Sequence, residues 1–328
     1  MSRPFTKIFM VVLVMVCQTT FSQKIGLLFD DYISDRWYQD KKYFIDRATE
    51  LGGEVLFEIA YADTAAQMVL AKKLLDAGVK VLVIIPTDAR KAKKIAELAA
   101  QRGVPLISYD RLILSNKVSL YISYDNHKVG RLQAQYALKQ KPEGKYIQIN
   151  GPVTDNNAVL FKAGQDEVLA KPIRQGKVQV LGSFVMDDWG ELGAWMKLEE
   201  FLSKGGLTPD AVLTANDALA AGVIRALPKE LQGKVIVTGQ DADIAGLKSI
   251  FSGVQSMTVY KPIAPLARRA AEIAVDMANG KEISGTTFFQ IGALSVRAIQ
   301  LDPVVVDKSN YKETVVKDGH TTLEEIEN

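Results

Sequence analysis

Planar polar groups and aromatic rings recur directly after the apolar, strand-like runs of this sequence. They are the carboxylates Asp110, Asp155 and Asp241, the cations Arg36, Arg111 and Lys261, the amides Asn157 and Asn216, and the indoles Trp37 and Trp189. Planar groups that make paired hydrogen bonds suit the hydroxyls of a sugar, and aromatic faces suit its C–H surfaces. The set therefore predicts a binding site for a small polyhydroxylated molecule.

Each of these residues also has a simpler interpretation when it is taken alone. Trp37 and Trp189 open helix-like stretches and could pack as ordinary core, and Asp110-Arg111 could form a surface ion pair. Asp155 and Asn216 have the composition of helix caps. The shared position favours a site, because open α/β sheets bind ligands at the carboxyl ends of their strands.

Enzyme motifs are missing from the positions where they would be expected. The stretch after the first strand, beginning at Asp30, contains no Gly-x-Gly-x-x-Gly, and the sequence has no Gly-x-Ser-x-Gly and no phosphate loop. His127 and His320 lie outside the polar set. Paired aspartates for glycoside hydrolysis stay open, because their separation cannot be read from a sequence. We expect a binding protein without catalytic residues, cofactor or metal.

Strand-like and helix-like segments alternate along the chain in two consecutive sets. The first set has apolar runs at 24–29, 54–59, 79–85, 105–109 and 120–124, and the second at 146–149, 178–184, 211–214 and 235–238. Uniformly apolar runs such as Val81–Ile85 are typical of parallel strands covered by helices on both faces. We therefore predict an α/β fold with two doubly wound parallel sheets. An eight-stranded barrel is the competitor, and a switch near Asp125-Asn126, where no helix is expected between the flanking extended runs, argues against it.

The N-terminal 22 residues have the three parts of a secretory signal. Arg3 and Lys7 precede a ten-residue apolar core, which is too short to span a bilayer, and Thr20 and Ser22 suit cleavage before Gln23. Cys17 leaves lipid anchoring open as the alternative. Cleavage after residue 22 would leave 328 − 22 = 306 residues without cysteine.

The bulk properties of the remaining chain restrict its partners. Loss of Arg3 and Lys7 lowers Lys+Arg from 40 to 38, against 38 Asp+Glu, so a net charge near zero gives no reason to expect nucleic acid. About 300 residues favour two domains. The charged end, residues 307–328, is predicted to cover the surface.

In its most specific stretches the sequence resembles the periplasmic sugar-binding proteins of ABC transporters, in the group that binds pentoses and hexoses. The stretches are Asp35-Arg36-Trp37, 81–86, Tyr109-Asp110-Arg111, 121–126, 152–161, Ala215-Asn216-Asp217, 239–243 and 257–262. The resemblance extends from Lys24 to about Gly319.

The resemblance implies a particular architecture and set of residue roles. It implies two Rossmann-like lobes joined by three hinge crossings, near Asp125-Asn126, Lys261-Pro262 and 285–288. The N-terminal lobe would be 23–125 with 262–286, and the C-terminal lobe 126–261 with 287–328. The two tryptophans would sandwich a pyranose and the polar residues would bind its hydroxyls, with Lys162 standing where the family pattern has arginine.

The resemblance also implies a function. The chain would be an exported, monomeric periplasmic protein that closes on a monosaccharide, D-xylose or a related aldopentose, and delivers it to a membrane permease. A receptor of the same fold that signals to a membrane sensor kinase or chemoreceptor is the alternative. The sugar-sensing half of a transcription repressor is disfavoured, because the leader occupies the place of its DNA-binding helices.

Overall fold

The computed structural model describes residues 23–31, 36–205 and 207–328. The predicted signal segment, with Cys17 and the cleavage position after Ser22, lies outside the described residues. The elements in chain order are β1 Gln23–Phe29, α1 Arg36–Glu50, β2 Gly53–Ile59, α2 Thr64–Asp76, β3 Val81–Ile84, α3 Lys93–Gln101, β4 Leu106–Tyr109, β5 Leu120–Tyr124, α4 Asn126–Gln140, β6 Gly144–Asn150, α5 Asn156–Arg174, β7 Val178–Val185, α6 Glu191–Ser203, β8 Ala211–Thr214, α7 Asp217–Ala226, β9 Ile236–Val237, α8 Ile244–Ser252, β10 Thr258–Tyr260, α9 Ile263–Ala278, β11 Thr287–Ile291, β12 Leu294–Leu301, β13 Val304–Val306 and α10 Leu323–Glu327.

The first sheet has seven strands in the order β11-β12-β5-β4-β3-β1-β2, and every pairing except β11 with β12 is parallel. Successive residues of β3 enter opposite cores. Val83 packs towards α1 and α9, and Leu82 packs towards α2 and α3. Burial on both faces explains why this strand is apolar throughout.

The second sheet is parallel and has the order β7-β6-β8-β9. Its cores are built with α4, α5, α6 and α7. The two separate sheets confirm the predicted doubly wound architecture and exclude the barrel. The expectation of no helix after Asp125 is wrong, because α4 occupies 126–140 with Asp125 as its N-cap.

A two-stranded antiparallel sheet of β10 and β13 lies beside the second sheet, and Val259 of β10 is part of the core of that sheet. Within the described residues the chain passes three times between the half built on the first sheet and the half built on the second. The first crossing follows β5 at Asp125, and the second lies at Lys261-Pro262, between β10 and the helix α9 that packs on the first sheet. The third lies at Asp302-Pro303, between β12 and β13. The third crossing was predicted near 285–288, and that prediction is wrong.

The sheet pairing also corrects one domain boundary. Residues 287–301 were assigned to the C-terminal lobe, yet β12 pairs with β5 of the first sheet, with Ala298 opposite Tyr121. A parallel pairing between strands so distant in sequence leaves no local pattern in either segment. The other boundaries, 23–125 with 262–286 and 126–261, remain our proposed division.

The C-terminal segment, residues 307–328, contributes to a core. Tyr311, Val315 and Ile326 are buried together with Ala242 and Tyr260. The prediction of mere surface cover is therefore wrong, because a few apolar residues in a charged segment suffice to dock it. Among the described residues, none of the helices is long and apolar enough to cross a bilayer.

Candidate ligand-binding site

The strand ends of both sheets converge on one cavity of about 340 Å³, which lies in the usual range for small-molecule sites. Ten of the predicted residues line this cavity: Arg36, Trp37, Asp110, Arg111, Asp155, Asn157, Trp189, Asn216, Asp241 and Lys261. Residues that were selected because they follow predicted strands therefore lie around one cavity, although they come from both halves of the chain.

Arg36, the first residue of α1, is the centre of a buried ion-pair network. Its guanidinium lies 3.2 Å from the Asp40 carboxylate, 3.1 Å from Asp110 and 3.4 Å from Asp241. Burial alone would lower the pKa of Arg36, but the three carboxylates outweigh it and hold that pKa well above its ordinary value. Arg36 is therefore a permanently charged donor.

Lys261 adds a second positive charge to the same network. Its Nζ lies 3.9 Å from an Asp110 carboxylate oxygen and 3.7 Å from Asp241. The side chain is almost fully buried. Lys261 adds positive charge beside Asp110 and Asp241, because the single charge of Arg36 cannot neutralise the three carboxylates around it.

Arg111 links the two sheets. Its guanidinium donates to Asp30, after β1, at 2.5 Å, and its Nε lies 2.8 Å from Asp155, after β6. Burial raises the pKa of Asp155 by more than Arg111 lowers it. This ion pair joins the loop after β4 to the loop after β6 across the cavity.

Asp110 presents an ionised acceptor to the cavity. It sits in left-handed backbone at φ 58°, which aspartate tolerates better than most residues. Burial would raise the pKa of Asp110, but Arg36, Lys261 and Arg111 hold it below its ordinary value. Its Oδ2 is buried 3.1 Å from the Arg36 guanidinium and has no well-aligned hydrogen bond from the described residues, so it can also accept from a ligand hydroxyl.

Asn157 is fixed by two partners. Its Nδ2 donates to Asp110 Oδ1 at 3.1 Å, and its Oδ1 accepts from Asn126 at 2.8 Å. These contacts determine which side of the amide is donor and which is acceptor. Asn157 thus supports Asp110 from the second sheet.

The two indoles differ in their surroundings. Trp37 is buried edge-on against Phe29, with Arg36 4.6 Å and Arg111 5.5 Å from its ring centre. Trp189 is half-buried and lies edge-on to Phe161 at 6.3 Å. Both rings line the cavity, where they offer apolar faces.

The last two strand-end residues come from β8 and β9. Asn216 caps α7 by accepting from the Leu219 amide at 2.9 Å, and its Nδ2 donates to the Trp189 carbonyl at 3.3 Å. Asp241 lies in left-handed backbone at φ 98°. The cap interpretation of Asn216 is thus correct, and the residue lines the cavity as well.

Comparisons with known proteins agree with this geometry. Residues 25–282 match the family described as periplasmic binding protein domain. The D-xylose-binding periplasmic protein of Haemophilus influenzae is 41% identical over 304 residues, which are 92% of this chain and 92% of that protein. The corresponding Escherichia coli K12 protein is 42% identical over 297 residues, 90% of each.

This chain belongs to the periplasmic binding protein family. A solved ABC transporter solute-binding protein from Clostridium phytofermentans, with bound β-D-glucose, superposes with a TM-score of 0.84 at 28% identity and covers 93% of this chain and 100% of that one. Family membership confirms the resemblance drawn from the sequence motifs and the two-lobed fold that it implied.

Lys162 is the one predicted site residue that the structure places elsewhere. It does not line the cavity and pairs instead with Asp166 at 2.5 Å, one turn along α5. Successive helical residues point about 100° apart, so Phe161 faces the cavity and Lys162 turns away from it. The structure therefore places Lys162 outside the cavity that the other ten predicted residues line, and a ligand contact of Lys162 stays a prediction.

Several lining residues were missed. Asp30, Asp187, Asp188 and Gln240 all follow strands, so the rule that found the other residues could have found them. Phe161 follows Asn157 by four residues on α5, which is the spacing of one helical face. Among the described residues, no cluster of histidine, cysteine and carboxylate side chains could hold a metal ion.

Proposed function

We propose that this chain is an exported binding protein that captures a monosaccharide, D-xylose before others, and delivers it to the permease of an ABC transporter. The observation that carries the proposal is the convergence of ten hydrogen-bonding and aromatic residues on one cavity between the two sheets. The D-xylose-binding relatives, at 41 and 42% identity, support the choice of sugar.

The cavity has the chemistry that a pyranose requires. Ionised Asp110 accepts from hydroxyls, while Arg36 and Arg111 donate with planar guanidinium groups. Trp37 and Trp189 would cover the C–H faces of the ring. These charged groups are already desolvated and paired, so a sugar meets donors and acceptors in fixed positions and little ordering cost remains.

Closure of the two lobes follows from the contacts that cross the cavity. Arg111 pairs with Asp155, Arg36 pairs with Asp241, and the Ala89 amide donates to the Thr154 carbonyl at 2.9 Å. Each contact joins the first sheet to the second. A sugar that touches both walls would add to these contacts only when the lobes are closed, which shifts the hinge equilibrium.

Localisation and partners belong to the same proposal. The relatives are named periplasmic proteins, and the predicted signal segment fits export and cleavage before Gln23. We assign the protein a monomeric state, no nucleic acid partner and no catalytic step. The membrane permease would recognise the closed, sugar-loaded form.

Calorimetric titration of residues 23–328 tests this proposal. D-xylose should bind one-to-one with a dissociation constant of about 1 μM or tighter, roughly 8 kcal/mol. Ribose, arabinose, glucose and galactose serve as competitors in the same buffer. Tight binding of another sugar would support the proposed site but identify a different ligand. Absence of binding to all five sugars would refute the proposal.

A further inference from the structure

The loop that carries Asp241 has an unusual backbone. Asp241 and Ala242 are consecutive non-glycine residues in the left-handed region, at φ 98° and 59°. Such conformations cost free energy and persist only where the surrounding structure holds them, often beside a ligand site. The contacts of this loop therefore show what keeps the Asp241 carboxylate aimed into the cavity.

Three contacts hold the amides of this loop. The Asp241 amide donates to the Val259 carbonyl at 3.0 Å, and the Ala242 amide donates to Thr258 Oγ1 at 3.2 Å. The Asp243 amide donates to the Asp217 carboxylate at 3.0 Å. Val259 and Thr258 lie on β10, which pairs with β13, and Asp217 lies on α7.

The Ala242 carbonyl is held from a different part of the chain. His320 Nε2, in the C-terminal segment, lies 2.9 Å from this oxygen. Because a carbonyl can only accept, Nε2 must carry the proton. Burial lowers the pKa of His320, so the imidazole is neutral at neutral pH.

The same imidazole also contacts the Tyr260 ring. Its ring centre lies 4.9 Å from the ring centre of Tyr260, which directly precedes Lys261. The His320 amide donates to the Val315 carbonyl at 3.0 Å, and Val315 is buried beside Ala242. His320 is thus anchored in the docked segment and touches the loop that carries Asp241 without lining the cavity itself.

We propose that His320 is a positioning residue of the ligand site, which fixes the left-handed Asp241-Ala242 backbone through its hydrogen bond to the Ala242 carbonyl. This inference rests on the proposed function for its effect on sugar affinity. Its structural part, the restraint of the loop, holds independently of the ligand.

Two variants separate the hydrogen bond from the ring. His320→Phe retains an aromatic ring against Tyr260 and removes the donor, whereas His320→Gln restores an N–H donor on a side chain of similar reach. His127→Phe is the matched control, since His127 lies on α4, pairs with Glu167 and does not line the cavity.

Two measurements are made on each variant. Calorimetry with D-xylose should show affinity about tenfold weaker for His320→Phe, the size of one lost hydrogen bond, and within about threefold of wild type for His320→Gln. Amide hydrogen exchange without sugar should show faster exchange at residues 241–243 in His320→Phe, with recovery in His320→Gln.

The outcomes separate this inference from the proposed function. If the wild-type protein binds none of the five sugars, the proposed function fails, and the exchange measurement still decides whether His320 restrains the loop. The inference is overturned if the amides of residues 241–243 exchange in His320→Phe at the same rate as in the wild type. It is also overturned if both His320 variants lose the same amount of affinity.

Discussion

The two walls of the cavity are built differently. On the first-sheet wall, Asp30, Arg36, Trp37, Asp110 and Arg111 are each at most 9% exposed, and the four charged ones are ion-paired. On the second-sheet wall near β7, Asp187 and Asp188 are exposed and Trp189 is half-buried. The first wall is therefore part of the folded core. On the second wall Asp155, Asn157 and Asn216 are buried as well, and the part around Trp189 is the more exposed one.

This difference has an energetic meaning. Charges in the first wall have lost their water and depend on one another, so removal of one leaves its partners buried and unpaired. The Trp189 ring is uncharged, so its removal leaves no buried charge without a partner. Changes in the first wall should lower stability and binding together, and changes around Trp189 should lower binding alone.

The largest expected effect is that of Arg36→Met. Loss of the guanidinium leaves Asp40, Asp110 and Asp241 with Lys261 as the remaining cation of this cluster. The free energy of unfolding should fall by about 3–5 kcal/mol, and sugar binding should disappear. Chemical denaturation and calorimetry measure the two effects.

Arg47→Met is the matched control on the same helix. Arg47 pairs with Glu50 and Glu272 but is about one-third exposed, so water replaces its ion pairs at little cost. Its denaturation midpoint should stay near that of the wild type. Equal destabilisation by the two substitutions would contradict the special status of the first wall.

The next effect in size is that of Trp189→Ala. Removal of one apolar face from the cavity should weaken D-xylose binding by roughly 1–3 kcal/mol while the melting temperature changes little. Trp195→Ala on α6 is the control, because that ring stacks under Arg225 at 3.8 Å and does not line the cavity. Unchanged affinity in Trp189→Ala would make this residue ordinary packing.

A smaller effect is expected from Gly151→Ala. A methyl group at this position would come within 2.4 Å of the Trp189 ring, so the ring must move. Affinity should fall by about 1 kcal/mol, without a matching loss of stability if the part of the second wall around Trp189 can adjust. Gly193→Ala, whose nearest neighbour would be Met186 at 3.5 Å, should bind as the wild type does.

The smallest effect is expected from Lys162→Ala. Because this side chain points away from the cavity and pairs with Asp166, sugar affinity should stay within about twofold of the wild type. Phe161→Ala is the contrast, since its ring lines the cavity beside Trp189. A strong loss of affinity in Lys162→Ala would restore the role that the family pattern suggested.

Local sequence patterns predicted much of the fold and the site. The apolar run Val81–Ile85 predicted a strand covered on both faces, and β3 is such a strand. Polar residues after strands predicted the cavity wall, because parallel strands bring their carboxyl ends to one edge. Both inferences depend only on the chain near each residue.

Two of the errors arose where distant parts of the chain decide the structure, whereas the missed helix α4 had a local signal in its N-cap Asp125. The pairing of β12 with β5 moved the third crossing to Asp302-Pro303, and no local signal encodes such a pairing. The docking of Tyr311 and Ile326 depends on a surface formed by α8 and β10. For Lys162 the family pattern gave a position in the sequence, and helix geometry decided the direction of the side chain.

A crystal structure of residues 23–328 with D-xylose tests the central claim most directly. We predict one pyranose in the cavity between the two sheets, with Trp37 and Trp189 against its faces and Asp110, Arg36 and Arg111 on its hydroxyls. A sugar bound elsewhere, or in contact with one wall only, would contradict the account.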